Sequence, residues 1–156
     1  MDVTTMPLTS LLTRLSADFP AIQFTAGEQF SWSPEKRTIF YELSGDPALL
    51  IHELGHALLD HEAYTRDVQL LTLERAAWDE AKKLAPTYDI TISDDTVEDA
   101  LDTYRDWLHA RSTCPHCGAT GFQSGIATYA CPACTREWVV NEARVCQLRR
   151  TKNTPA

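Results

Sequence analysis

The sequence has no long apolar run, since none approaches the roughly 18 residues that a membrane-spanning helix needs. It also lacks the charged and then apolar leader, with a small-residue cleavage site, that is typical of secretory signals. We therefore expect no membrane span, no membrane partner and a cytoplasmic location. No internal repeat or low-complexity segment is present, and an apolar fraction of 44% over 156 residues suits one compact domain with a small appendage.

Four of the five cysteines form two C-x-x-C pairs, and the odd total argues against a disulfide framework because one thiol would be left over. Thirteen residues separate the pairs, a spacing close to that of zinc ribbons, in which two turns close a tetrahedral site. A redox C-x-x-C would need only one pair and a βαβ context. We predict one structural Zn²⁺ that stabilises a segment too small to have its own core. Its ligands would be Cys114, Cys117, Cys131 and Cys134.

The sequence contains an H-E-x-x-H run in which the polar residues are His52, Glu53 and His56. Positions i and i+4 of a helix share one face, so the two histidines can reach one metal ion. Glu53 lies about 100° further round the helix, where it could act on a water molecule. Asp46 and the proline after it are typical of a helix start, and the apolar neighbours indicate burial. Chance decoration of an ordinary helix is the alternative, but burying these groups unpaired would cost on the order of several kcal/mol each.

A catalytic zinc site with two histidines needs a third protein ligand, and the next predicted helix offers acidic candidates. We predict Glu74, because it shares a helical stripe with small alanines that would let the two helices approach closely. The alternatives are that Glu74 is a solvated carboxylate, or that His61 completes the site although it is nearly half a helical turn out of line with His56. The other acidic candidates near this helix are Asp67, Asp79 and Glu80, and Asp60 or Asp79 could hold the second nitrogen of a ligand imidazole.

Hydrophobic periodicity predicts an α+β fold. Apolar spacing indicates helices at 8–19, around the H-E-x-x-H run, at 68–84 and at 95–111, and alternating residues indicate strands at 22–24, 30–32 and 38–43. We predict a small zincin-like metallopeptidase domain over residues 1–111, with three main helices and a small antiparallel sheet. Residues 112–156 would form the four-cysteine zinc ribbon and a basic tail.

The run H-E-L-G-H-A-L-L after a strand, followed on the next helix by E-R-A-A-W from Glu74, resembles the ImmA/IrrE-type metallopeptidases over roughly residues 8–86. The resemblance implies that His52, His56 and Glu74 are zinc ligands and that Glu53 is the general base. It also implies cleavage of a helix-turn-helix repressor in a DNA-damage or phage-defence response. The small CapP-type peptidases of bacterial defence systems look especially similar, and that likeness implies activation by single-stranded DNA.

Charge is distributed unevenly in this chain of net charge −8. Residues 1–111 carry a net −11 and residues 112–156 a net +3, although four thiolates on one Zn²⁺ would reduce the positive bias. Single-strand binders combine basic and aromatic side chains, so the tail is a candidate contact for single-stranded DNA. A scaffold with a solubilising tail is the alternative. The candidate phosphate contacts are Arg144, Arg149, Arg150 and Lys152.

Cys146 lies outside the C-x-x-C pattern. Its thiolate could occupy the open position of the catalytic zinc and keep the enzyme inactive, since sulfur competes well with water for Zn²⁺. In that case Cys146→Ser should raise basal proteolysis. A buried structural thiol is the alternative.

Together these features predict a zinc-dependent endopeptidase that cleaves a partner protein. Glu53 would take a proton from water and deliver it to the leaving amine. We expect the substrate to pair with the strand at 38–43 by β-augmentation, in which an extended peptide adds a strand to a sheet.

Two other functions fit parts of the pattern. A SprT-like DNA–protein crosslink peptidase also joins H-E-x-x-H to a zinc ribbon, but it would need a third histidine, and none lies between His61 and His109. A non-catalytic, zinc-containing module that binds DNA or a repressor is the second alternative.

Overall fold

The computed structural model describes residues 7–141 and the backbone of residues 150–152. This part of the chain is α+β, as predicted, and none of its helices is long and apolar enough to cross a membrane. The helices predicted at 8–19, 68–84 and 95–111 begin and end within one residue of those positions, and the H-E-x-x-H run lies in a further helix. The helices are α1 (Leu8–Asp18), α2 (Pro47–Leu58), α3 (Asp67–Leu84) and α4 (Asp94–Ser112), with a 3₁₀ helix at Ala85–Tyr88. The strands are β1 (Gln23–Ala26), β2 (Ser31–Ser33), β3 (Thr38–Tyr41), β4 (Phe122–Gly125), β5 (Thr128–Ala130), β6 (Glu137–Val140) and β7 (Arg150–Lys152).

The chain divides into two compact units. The first contains the residues up to Ala63 together with Leu73–Val97, and the second contains Tyr64–Thr72 and the residues from Glu98 onward. Helix α3 therefore begins in the second unit and ends in the first, whereas α4 begins in the first and ends in the second. The predicted boundary between residues 111 and 112, and the assignment to a zincin-like domain, stay predictions.

The first unit contains a three-stranded sheet in the order β1-β3-β2. Strands β2 and β3 are antiparallel, with Trp32 opposite Ile39, whereas β1 runs parallel to β3, with Phe24 opposite Ile39. The predicted strands are present, but the prediction of an antiparallel sheet is wrong because the sheet is mixed. The chain passes from β1 to the far side of β3 before it forms β2. Alternating apolar residues indicate strands without fixing which strands pair, or in which direction.

Helix α2 begins where the Asp46 carboxylate accepts a hydrogen bond from the Ala48 backbone N–H at 2.9 Å. Pro47 is its first residue, where a missing N–H has no cost. The helix packs against β2 and β3. Both histidines of the H-E-x-x-H run are buried in it, together with the apolar residues Ala48, Leu50, Ile51, Leu54 and Ala57. Burial over most of its surface explains why its apolar residues do not form a single stripe.

Gly55 allows a close backbone approach between α2 and α3. A Cβ atom at this position would lie 2.4 Å from the carbonyl oxygen of Ala77. Ala77 and Ala81 are buried, in agreement with the predicted stripe of small alanines, and so is Trp78 between them. Glu74 lies about one turn before Ala77, so the close approach also holds its carboxylate near α2.

The second unit contains a four-stranded antiparallel sheet in the order β4-β5-β6-β7. Its small core is built on Tyr129 and Trp138, whose rings stack with their centroids 5.7 Å apart. Cys114, Cys131 and Val140 complete this buried cluster. Two of the cysteines that could bind metal are therefore also part of the core.

A buried ion pair in the second unit joins the start of α3 to the end of α4. Arg111 donates from Nε to Oδ2 of Asp67 at 2.7 Å, and the two side chains are 5% and 4% exposed. The Tyr129 hydroxyl donates to the same carboxylate oxygen at 2.6 Å, and burial together with this hydrogen bond raises the pKa of Tyr129. Asp67, one of the acidic candidates for the metal, thus has its carboxylate engaged by Arg111 and Tyr129.

Candidate metal centres

Helices α2 and α3 bring His52, His56 and Glu74 together. Nε2 of His52 lies 2.9 Å from Oε2 of Glu74, and Nε2 of His56 lies 3.1 Å from Oε1. The two Nε2 atoms are 3.2 Å apart. The three residues are only 5%, 8% and 4% exposed. One buried carboxylate therefore faces two imidazole nitrogens, and this group is the first candidate metal-binding site.

The donor atoms of this group suit Zn²⁺. One atom from each of the three residues lies within 4.8 Å of the others. Two imidazole nitrogens and a carboxylate oxygen are a known ligand set of zinc peptidases, which leave the fourth position open. Because both Nε2 atoms face the same carboxylate, a single cation could contact all three side chains. The predicted ligands are thus brought together, and zinc itself stays a prediction.

Glu74 is held in its ionised form. Burial alone would raise its pKa above the ordinary value of 4.5, but the hydrogen bonds and charges of His52 and His56 outweigh burial and lower the pKa to about 2. A buried, ionised carboxylate needs a positive partner, and a divalent cation between the three side chains would supply one.

His52 is supported by an aromatic ring. Its imidazole stacks on the indole of Trp78, with the ring centroids 4.1 Å apart and the planes 22° from parallel. Its Nδ1 atom has no hydrogen-bond partner within the described residues. Metal-bound histidines usually donate this second N–H to an oxygen, so stacking rather than a hydrogen bond orients His52. In the sequence Trp78 is the last residue of the E-R-A-A-W run, to which no role was assigned.

His56 has a partner on the nitrogen that points away from Glu74. Its Nδ1 atom lies 2.8 Å from Nδ1 of His61. Burial, and then the neighbouring charge of His56, lower the pKa of His61. His61 was an alternative third ligand, but the structure places it behind His56 and outside the three-residue group.

The remaining acidic candidates lie away from the metal group. Asp60 pairs with Arg37 at 3.2 Å, Glu80 pairs with Lys83 at 3.6 Å, and Asp79 is exposed. The expectation that Asp60 or Asp79 would accept a hydrogen bond from a ligand imidazole is wrong for His56, because the partner of its Nδ1 atom is His61. A histidine shortly after the end of the helix was the sequence signal for this contact.

Glu53 is half-buried on α2, directly after His52. Successive residues of a helix differ by about 100° in direction, so Glu53 does not share the face of the two histidines. This placement is compatible with a group that acts on water beside the metal rather than binding the metal, and the general-base role stays a prediction.

The strand that was expected to bind substrate is in the centre of its sheet. One edge of β3 pairs with β1 and the other with β2. Because β-augmentation requires an unpaired edge, the expectation is wrong for Thr38–Tyr41. The edge strands of this sheet are β1 and β2, and β2 is the one that packs against α2.

Four cysteines of the second unit form the second candidate metal-binding site. The Sγ atoms of Cys114 and Cys134 are 3.7 Å apart, and those of Cys117 and Cys131 are 3.5 Å apart, without a disulfide. A tetrahedral Zn²⁺ with Zn–S bonds of about 2.3 Å separates its sulfur ligands by about 3.8 Å. The spacing of the thiols therefore fits one zinc ion.

The two C-x-x-C turns share one hydrogen-bonding pattern. The Gly118 N–H donates to the Cys114 carbonyl and the Thr135 N–H to the Cys131 carbonyl, both at 2.9 Å. Gly118 and Thr135 also have positive φ angles of 77° and 65°. In each turn another backbone N–H donates to the first sulfur at 3.4 Å. The two turns bring the four sulfurs within 4.8 Å of one another.

The backbone of these turns favours thiolates, the form that binds zinc. Burial would raise the pKa of Cys114, but backbone N–H groups, that of Cys117 first, lower it to about 6. A backbone N–H of the second turn likewise lowers the pKa of Cys131. The Ala119 N–H would lower the pKa of Cys117, but a hydrogen shared with Cys131 raises it to about 11.

Several predicted site residues lie outside the described residues. Arg144, Cys146 and Arg149 are among them, and of Arg150 and Lys152 only the backbone, in β7, is described. The inhibitory switch and the nucleic-acid contacts therefore stay predictions.

Comparisons with protein-family models, with curated proteins and with solved structures find no match to this chain.

Proposed function

We propose that the chain is a zinc-dependent endopeptidase whose active site is the group formed by His52, His56 and Glu74. The observation that carries the proposal is the convergence of two buried Nε2 atoms on one ionised carboxylate, on helices that meet at Gly55. The H-E-x-x-H run adds Glu53 beside the group. A structural site would use all four metal positions, whereas the described residues supply three ligands here.

In this proposal each residue has a separate task. His52, His56 and Glu74 hold the metal, and a bound Zn²⁺ supplies Lewis-acid polarisation of the scissile carbonyl. Glu53 accepts a proton from the attacking water and delivers it to the leaving amine, so that the amine departs neutral. Burial of the ligand side chains keeps their geometry fixed.

The proposed substrate is an extended segment of a partner protein. Strand β2 replaces β3 as its binding edge, because β2 is an edge strand that packs against the helix carrying Glu53. The resemblance to ImmA/IrrE-type and CapP-type peptidases suggests a helix-turn-helix repressor as the partner and single-stranded DNA as the activating ligand.

The four-cysteine cluster is proposed to hold a second, structural Zn²⁺. All four positions of that ion would be filled by sulfur, which leaves none for substrate. Its contribution would be stability, because two of its ligands belong to the small core around Trp138.

The function can be tested by incubating the full chain with the product of the neighbouring gene, with and without single-stranded DNA. We expect a single cleavage of that protein, stimulated by the DNA and abolished by His52→Ala. Stable binding of the partner without cleavage would instead favour the non-catalytic module. Cleavage that survives His52→Ala would show that the activity belongs to a contaminant.

A further inference from the structure

We propose that His61 is a positioning residue, which fixes the orientation and tautomer of His56 for metal binding. This inference rests on the proposed metal at the His52–His56–Glu74 group but not on peptide cleavage. In this role His61 does not bind the metal itself but supports a residue that does.

The backbone turn after α2 places His61 against His56. Helix α2 ends at Leu58, and Asp60 takes the left-handed conformation with φ of 52°. The His61 N–H donates to the His56 carbonyl at 3.0 Å, and the Asp60 N–H donates to the Ala57 carbonyl at 3.1 Å. These two bonds are those of a Schellman motif, in which the second residue after the cap commonly contacts the helix residue five positions earlier. Here that contact is between two imidazoles rather than two apolar side chains.

Two further contacts hold the turn. The Trp32 indole of β2 donates to the His61 carbonyl at 3.2 Å. Arg37 pairs with Asp60 at 3.2 Å and lies over the Trp32 ring at 5.5 Å from its centroid. The backbone of His61 is therefore hydrogen-bonded at both its N–H and its carbonyl, which keeps the residue beside His56.

The contact between the two rings makes their tautomers depend on each other. The two Nδ1 atoms are 2.8 Å apart, so one must donate and the other accept. Metal binding needs the lone pair of Nε2 of His56, which puts the hydrogen of neutral His56 on Nδ1. Nδ1 of His61 must then be the acceptor, with the hydrogen of His61 on Nε2. With a metal on Nε2, His61 thus supplies the acceptor for the Nδ1 hydrogen of His56 and favours the tautomer that presents a lone pair to the metal.

His52 provides an internal comparison. Its Nδ1 has no partner in the described part of the chain, and the indole of Trp78 holds its ring by stacking. A stacked ring keeps its plane but has no fixed tautomer. The contrast therefore concerns the nitrogen that faces away from Glu74. In the described part of the chain, Nδ1 of His56 has a side-chain hydrogen-bond partner and Nδ1 of His52 has none.

The test is the Co²⁺ affinity of the His52–His56–Glu74 group in the full chain, read from ligand-field absorption while Zn²⁺ fills the four-cysteine cluster. We expect His61→Leu to weaken Co²⁺ binding by about 10- to 100-fold, the usual effect of losing such a partner. His61→Gln, whose amide oxygen can accept from Nδ1 of His56, should recover most of the affinity. His109→Leu removes an exposed histidine and should have no effect.

Different results would refute the role of His61 and the metal site itself. Equal Co²⁺ affinity in wild type and His61→Leu would overturn the positioning role while leaving the metal site intact. A loss in His61→Leu that His61→Gln does not recover would also overturn it, because packing alone would then account for the loss. Wild-type Co²⁺ binding that is unchanged by His52→Ala would remove the metal site itself.

Discussion

Replacing Gly55 with alanine is expected to push α2 and α3 apart. The added Cβ would lie 2.4 Å from the carbonyl oxygen of Ala77 and 3.1 Å from its carbonyl carbon. Non-bonded heavy atoms are most favourably placed at about 3.5 Å, so the two helices must separate by about 1 Å. No side-chain rotation can relieve the contact, because the atoms that the Cβ meets belong to the backbone.

This separation should damage the metal group as well as the packing. Glu74 is on the turn of α3 that precedes Ala77, and functional groups usually need placement within about 0.5 Å. Overpacking costs about 1–3 kcal/mol, whereas alanine normally gains about 0.5–1 kcal/mol over glycine inside a helix. We expect the free energy of unfolding to fall by about 1 kcal/mol and the metal affinity of the group to fall with it.

Thermal unfolding and Co²⁺ titration of the same samples would measure both effects. Gly27→Ala is the matched control, because its Cβ would lie 3.6 Å from the Phe40 Cβ, an ordinary contact in the same unit. A Gly55→Ala protein that is more stable than wild type and binds Co²⁺ equally well would refute the reasoning, since the helix propensity of alanine would then have outweighed the clash.

Three further predictions concern stability. Asp67→Asn leaves Arg111 buried without a counter-charge and should lower the free energy of unfolding, measured by chemical denaturation, by about 3–5 kcal/mol. Asp89→Asn, which breaks the exposed pair of Asp89 with Arg14, should change that free energy little. Similar losses in the two variants would contradict this expectation. Thr135→Gly should stabilise the chain by about 0.5–1 kcal/mol, because glycine avoids the strain of a positive φ, and a lower melting temperature would argue against it. Burial and the hydrogen bond to Asp18 raise the pKa of Tyr88 from 10.0 to about 12. The stability that the protonated Tyr88 hydroxyl contributes is therefore complete below pH 10 and is lost as the pH rises towards 12. Tyr88→Phe should reduce that loss in a pH series of unfolding measurements.

Most of what the sequence could predict about the two candidate metal sites came from the spacing of residues that are close together in the chain. The four-residue interval between His52 and His56 and the paired C-x-x-C turns depend on a few neighbouring residues, whose geometry follows from the helix or the turn alone. Glu74 was harder to predict because it comes from another helix. The alanine stripe gave the necessary clue, since it requires a close approach and that approach fixes which carboxylate faces the histidines.

Non-local features were not predictable in the same way. The parallel pairing of β1 with β3 depends on the path of the chain between strands. Because of this pairing, β3 has no unpaired edge at which a substrate could bind. The place of His61 depends on the left-handed Asp60 turn, which no glycine marks. The Asp67–Arg111 pair joins residues 44 positions apart, and periodicity contains no information about such a contact.

The most direct test of the central claim is to measure metal content and cleavage of the proposed partner protein in the same samples of wild type and Glu53→Gln. The glutamine side chain would keep the size of the glutamate but could not accept the proton from water. We expect two zinc ions per chain in both proteins and cleavage by wild type alone. Cleavage by Glu53→Gln at the wild-type rate, with both metals in place, would contradict the proposed role of Glu53 and with it the assigned active site.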